Sequence, residues 1–119
     1  MVSTNENLLN FYKNLADDTR LKLMLLLHHL GEVCVCEFTC ALDLSQPKIS
    51  RHLAQLKKFS LVSDRREGRW VYYHLNPELP VWCKEVLAVS FNENKAYIDE
   101  EIERLTNMGD RPERQKQCC

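Results

Sequence analysis

Ser45-Gln-Pro-Lys-Ile-Ser-Arg-His-Leu-Ala-Gln-Leu-Lys-Lys-Phe59 is the stretch whose reading decides the fold. Pro47 has no N–H to donate, which is harmless only in the first turn of a helix, so a helix is predicted over about Gln46 to Phe59, behind the tight connection Asp43-Leu44-Ser45. Ile49, Leu53 and Leu56 follow i, i+4, i+7 and face a core, while Lys48, Arg51, His52, Gln55 and Lys58 repeat on the other side. Immediately upstream, Cys36 to Leu42 has the length of two helical turns. A short helix, a brief turn and a two-faced helix with a basic outer side make a helix-turn-helix.

Downstream the period changes. Val62 to Arg66 and Arg69 to Leu75 are rich in Val, Tyr and Trp and are separated by Glu67-Gly68, which predicts a two-stranded hairpin packed on the helices through Val71, Tyr73 and Leu75. Its tip carries Arg65, Arg66 and Arg69, and such an arm beside a helix-turn-helix is a wing. After Asn76-Pro77, Pro80 starts a last helix of about 25 residues. Its stripe Leu87, Phe91, Ile98, Ile102 and Leu105 has little left to pack on in so small a domain, and is expected to meet a second copy of the chain together with the first helix.

Upstream, Leu8, Phe11, Tyr12 and Leu15 predict a short first helix. Asp17-Asp18-Thr19 then caps a second, Arg20 to Leu30, apolar nearly all round and closed by Gly31. His28 and His29, in its last turn, read as structural or surface residues. The expected fold is therefore mainly α with a small β-hairpin, a winged helix-turn-helix in the order α-α-α-α-β-β-α, forming a homodimer through the first and last helices. Residues 1–109 make one domain, and 110–119 a flexible tail ending in Cys118-Cys119.

The chain has 119 residues and 45% hydrophobic content, enough for one packed domain. Nothing in it has the run of roughly 18 apolar residues that a membrane span needs, and Met1 to Leu15 lacks a signal-peptide layout, which reads as a cytoplasmic protein. In that compartment six cysteines point to metal or redox chemistry rather than a disulfide scaffold. The net charge of -1 hides a strong asymmetry: Ser45 to Arg69 carries seven bases against two acids, whereas Asn92 to Arg114 carries seven acids against four bases. An enzyme is not expected, because Gly31, Gly68 and Gly109 are too scattered to form an oxyanion loop beside a reactive cysteine.

Two sites follow. Phosphate oxygens want cations, hydroxyls and N–H groups, and base edges want bidentate or mixed donors and acceptors. Gln46, Lys48, Ser50, Arg51 and His52, with Ser45 before them and Arg65, Arg66 and Arg69 on the wing, supply that inventory for double-stranded DNA. The second site is Cys34-Val-Cys36-Glu-Phe-Thr-Cys40. Cys36 and Cys40 share a helix face at i, i+4, and Cys34 joins them if the helix starts at or after Cys36. Three soft thiolates with no nearby His suit a three-coordinate thiophilic ion better than tetrahedral zinc. Cys83 reads as a small buried apolar residue.

Leu15-Ala-Asp-Asp-Thr-Arg-Leu, Val33-Cys-Val-Cys-Glu, the Ser45 to Leu53 run and Asp64-Arg-Arg-Glu-Gly-Arg-Trp-Val-Tyr-Tyr together resemble the arsenical-resistance repressor family, ArsR, over roughly Leu15 to Trp82. The resemblance implies a dimeric winged-helix repressor of an arsenic-resistance operon. It would bind an inverted-repeat operator and be released when As(III) or Sb(III), the inducer, binds thiolates; no organic cofactor is implied. Cys34 and Cys36 match the first two ligands of the best-known branch. The third thiol of that branch falls at Thr39, with Cys40 one residue later. The alternative is a Cd(II)- or Pb(II)-responsive repressor of the same fold, although such sites recruit thiols from an N-terminal arm and this chain has none before Cys34.

Overall fold

The computed structural model describes residues 4–110. Helix α1 (Thr4–Leu15) leads through a tight elbow into α2 (Asp18–Leu30), whose cap is the expected one: the Asp17 carboxylate accepts the Arg20 N–H at 3.0 Å. Leu23 to Leu27 are buried without a break, as an all-round apolar helix at the centre of a domain must be. Gly31 ends the helix at φ +88°, donating its N–H to the Leu27 carbonyl.

Strand β1 (Glu32–Cys34) comes next, then α3 (Val35–Leu42), α4 (Gln46–Lys58), β2 (Val62–Glu67) and β3 (Trp70–Leu75). Asp43 turns the chain between α3 and α4 with a left-handed φ of 54°, and the Ser45 hydroxyl caps α4 by accepting the Lys48 N–H. Ile49, Leu53 and Leu56 are fully buried, each worth about 1.5–3 kcal/mol of burial free energy. That anchors α4 by one face and leaves the other free.

The hairpin turns at Gly68, as expected, but it belongs to a three-stranded antiparallel sheet in the order β1-β3-β2, with Cys34 paired to Tyr72 and Val33 to Tyr73. Three residues of β1 are too few to show a period of two. The added strand changes the burial of β3: Tyr73 and Leu75 pack on the core, while Tyr72, on the opposite face, is 5% exposed beneath the Arg65 guanidinium.

The long last helix is not continuous. It runs as α5 (Val81–Glu93), a 3-10 turn (Lys95–Ile98) and α6 (Asp99–Asn107), broken at Asn94, which leaves helical geometry at φ −142°. The break folds α6 back onto α3, where Arg104 Nη1 donates to the Ala41 carbonyl at 2.7 Å. The stripe expected to meet a second copy is thereby used inside the chain: Leu87, Ile98 and Leu105 are buried in its own core. Exposed apolar side chains lie instead on α1 (Leu8, Leu9, Tyr12) and α5 (Val81, Trp82, Val89), with Trp82 edge-on to Phe11. No helix of the described residues is long and apolar enough to cross a membrane. The expected tail lies, past Asp110, outside the described residues.

Candidate DNA-reading surface and thiol site

The outer side of α4 carries Gln46, Lys48 and Arg51 exposed, and Gln46 Nε2 donates to the Ser50 hydroxyl at 2.7 Å. Arg66 and Arg69 are exposed on the wing, Arg69 lying over the Trp70 ring. Gln46, Ser50, Arg66 and Arg69 are brought together around one cleft, with donors that phosphates and base edges require.

Two residues grouped with them by sequence face elsewhere. Arg65 clamps Glu32 of β1 through Nε and Nη2, both at 2.8 Å, reaches Glu67 through Nη1, and stacks over Tyr72. Its guanidinium ties the wing to the strand that precedes the thiols. His52 turns toward the α1–α2 elbow, its side chain only 14% exposed, with Nδ1 3.3 Å from Arg20 Nη1. Neither partner could be read from sequence, because each lies more than 30 residues away along the chain.

The thiols begin where β1 becomes α3. Cys34 is the last residue of the strand and the N-cap of the helix, and the Glu37 carboxylate, buried at 1% exposure, accepts the Cys34 N–H at 2.8 Å. This local fold puts Cys34 Sγ 3.4 Å from Cys36 Sγ. The Cys36 thiol donating to Cys34 lowers the Cys34 pKa from about 9 to about 6; the backbone N–H groups of Cys36 and Glu37 add to this, while burial and the Glu37 charge oppose it. Two sulfurs on one metal at about 2.3 Å each would stand roughly 3.4–3.8 Å apart, so the pair is already at chelating distance.

Cys34 and Cys36 line an open cleft of about 470 Å³ whose other walls include Gln46 and Ser50 of α4 and Arg66, Trp70 and Val71 of the wing. Thr39 lines it too, its hydroxyl bonded to the Cys36 carbonyl. Cys40 is not on that wall and packs against the core. Among the described residues, no three His, Cys, Asp or Glu side chains are close enough together to hold a metal ion. The structure thus brings together two of the three cysteines marked by sequence. Cys83 is buried on α5, and its thiol is pushed up to about 11 by burial alone. Cys118 and Cys119 lie outside the described residues.

Comparison with known proteins gives one consistent result. The family model described as "Bacterial regulatory protein, arsR family" matches residues 17–64. The chain is 53% identical over 108 residues to the arsenic resistance transcriptional regulator ArsR2 of Pseudomonas putida, covering 91% of this chain and 94% of that one. It is 52% identical to the arsenical resistance operon repressor of Escherichia coli, over 66% of this chain and 68% of that one. Among solved structures, HlyU from Vibrio cholerae superposes with a TM-score of 0.69 at 28% identity, over 78% of this chain and 97% of that one.

Proposed function

The chain belongs to the arsR family of bacterial regulatory proteins, winged-helix transcriptional regulators and not enzymes, and from that premise we propose that it is a dimeric repressor whose hold on operator DNA is broken when As(III) or Sb(III) is bound by Cys34, Cys36 and Cys40. The observation that carries this reading is the shared cleft: the Cys34–Cys36 pair and the inner edge of the DNA-reading surface are walls of one space.

In the repressing state two copies meet through the apolar faces of α1 and α5, placing two α4 helices in successive major grooves about one DNA turn apart over an inverted repeat. Ser45, Gln46, Lys48, Ser50 and Arg51 face the groove, and Arg66 and Arg69 reach the flanking backbone. The protein works in the cytoplasm, where thiols stay reduced.

Induction acts on the β1–α3 junction. A trivalent ion bridging Cys34 and Cys36 takes up the Cys34 sulfur that caps α3, and recruiting Cys40 from the core side unwinds the first turn of that helix. α3 leads into α4 through three residues, and Cys34 pairs with Tyr72 of the wing sheet, so the reading helix and the wing both lose their setting. Coupling of about 1–3 kcal/mol, a 5- to 150-fold loss of DNA affinity, suffices to switch a promoter. The test is a gel-shift titration with arsenite on the parent, Cys34→Ser and Cys36→Ser proteins. The parent releases DNA and the variants hold it; release at the parental dose by either variant places the site elsewhere.

A further inference from the structure

The motif Leu15-Ala-Asp-Asp-Thr-Arg-Leu21 forms the α1–α2 elbow, and neither the thiol site nor the DNA face described above uses it. Asp17 and Arg20 of this motif, with Asn14 just before it, are directed at the reading helix, while Asp18 turns to Tyr97 and Lys22. Asn14, 2% exposed, donates through Nδ2 to the Asn10 carbonyl at 2.8 Å and accepts Gln55 Nε2 of α4 on Oδ1 at 3.2 Å. The Asn14 carbonyl accepts Arg20 Nε at 3.1 Å, and Arg20 Nη1 lies 3.3 Å from His52 Nδ1, also on α4. Asp17 holds the Arg20 backbone N–H, and its carboxylate stands 3.9 Å from the His52 ring.

We propose that Asn14 and Arg20 of the elbow, through Gln55 and His52, are positioning residues that fix the rotation of α4 about its own axis and so set operator discrimination, His52 serving as an anchor rather than a DNA contact. This rests on the DNA-binding role proposed above. The core already holds α4 through Ile49, Leu53 and Leu56, but aliphatic contacts are non-directional and tolerate a small roll. Hydrogen bonds at two sites a turn apart, His52 and Gln55, are directional and do not. A few degrees of roll displaces Gln46 and Arg51 from the base edges while leaving their distance to phosphates nearly the same.

The chemistry of the link is fixed. Guanidinium only donates, so Nδ1 of His52 must accept and the ring is neutral with its proton on Nε2. Burial and the charges of Arg20, Arg51 and Lys48 push the His52 pKa down, against Asp17, which keeps the ring in that form. The Arg20 guanidinium is held at two of its nitrogens, Nε by the Asn14 carbonyl and Nη1 by His52, which suits a strut rather than a phosphate contact.

The test uses the full chain, a duplex selected by the parent protein from random-sequence DNA, and a random duplex of equal length. His52→Ala and Arg20→Gln each weaken binding to the selected duplex about 5- to 30-fold, the range for a lost partly buried hydrogen bond. Affinity for the random duplex stays within about twofold, and the salt slope is unchanged. The double variant is no weaker than the worse single one, because both remove the same link. His52→Asn, whose carbonyl can accept Arg20, keeps parental discrimination. Gln55→Ala, at an exposed position where folding is not at risk, lowers discrimination a few-fold by the same pattern. Multiplying losses in the double variant, or a salt slope reduced by about 0.9 for each phosphate contact removed, overturns the proposal. A parent protein that shows no preference for any duplex overturns the DNA-binding role together with it.

Discussion

Cys34 ends strand β1 with its sulfur 3.4 Å from that of Cys36, and Cys83 sits on the inner face of α5 among aliphatic side chains. Their exposures are nearly equal, 1% and 3%, yet one thiol is drawn down to about 6 and the other driven up to about 11. Burial alone therefore does not decide thiol chemistry in this fold. The difference is a supply of donors: the strand-to-helix junction offers the Cys34 sulfur a neighbouring S–H and two backbone N–H groups, whereas Cys83, in the first turn of α5, meets only burial, its own N–H and that of Lys84 being spent on the Pro80 carbonyl. A reactive pair thus arises where the backbone changes type, next to the wing.

The contrast is tested most severely by removing each thiol. Cys34→Ser weakens arsenite binding by more than about 100-fold, since loss of a ligand exceeds the 10–100-fold cost of losing a supporting residue. Cys83→Ser leaves arsenite binding unchanged. Equilibrium titration of the two variants decides it, and equal losses in both erase the distinction drawn here.

Alkylation reads the same difference kinetically. At pH 7 a thiol at about 6 is mostly thiolate and one at about 11 is roughly one part in ten thousand. After allowing for the weaker nucleophilicity of the more acidic thiol, Cys34 reacts roughly 50-fold faster than Cys83. Peptide mapping after a timed iodoacetamide pulse gives the ratio, and near-equal labelling would deny Cys34 its thiolate character.

Proton balance sharpens the comparison and separates inducer classes. A thiol displaces hydroxide from arsenous acid as water with no net proton, but a thiolate takes up one proton in doing so. The Cys34 contribution to arsenite affinity is therefore flat below about pH 6 and falls about tenfold per unit above it. For a divalent cation such as Cd(II) the same thiolate binds with no proton exchanged above about 6, and affinity falls about tenfold per unit below. Calorimetry between pH 5 and 8 distinguishes the two slopes.

The smallest effect is on stability. The depressed Cys34 pKa contributes stability that is present above the ordinary thiol pKa and lost as pH falls through about 6. The raised Cys83 pKa contributes stability that is present below the ordinary value and lost as pH rises through about 11. Between pH 9 and 6 the parent should lose on the order of 10 °C in Tm relative to Cys34→Ser. Parallel Tm curves would contradict it.

Local rules made much of this legible in the sequence. The Asp17 cap, Gly31, Pro47 in a first turn, the Ile49-Leu53-Leu56 face and the Gly68 turn each depend on residues within a few positions, and all appear where those residues put them. What escaped was tertiary. Three-residue β1 carries no periodicity, so the wing reads as two strands and Cys34 only as a residue ahead of a helix at Cys36 to Leu42. Asn94 breaks the last helix without Gly or Pro, and the contacts that α6 then makes with α3 are tertiary. Arg65 and His52 carry the side-chain types that DNA contact uses, and sequence offers no view of Glu32 or Arg20 waiting across the fold. Cys40 shares a helix spacing with Cys36, yet it packs against the core instead of lining the cleft wall.

Where the ion is held decides the mechanism, and arsenic-edge X-ray absorption of the chain loaded with one equivalent of arsenite reads that directly. In the parent protein arsenic should show a sulfur shell at about 2.3 Å; in Cys34→Ser/Cys36→Ser that shell should give way to oxygen. A sulfur shell retained in full by the double variant would contradict the account, because the ion would then be bound away from the junction of β1 and α3.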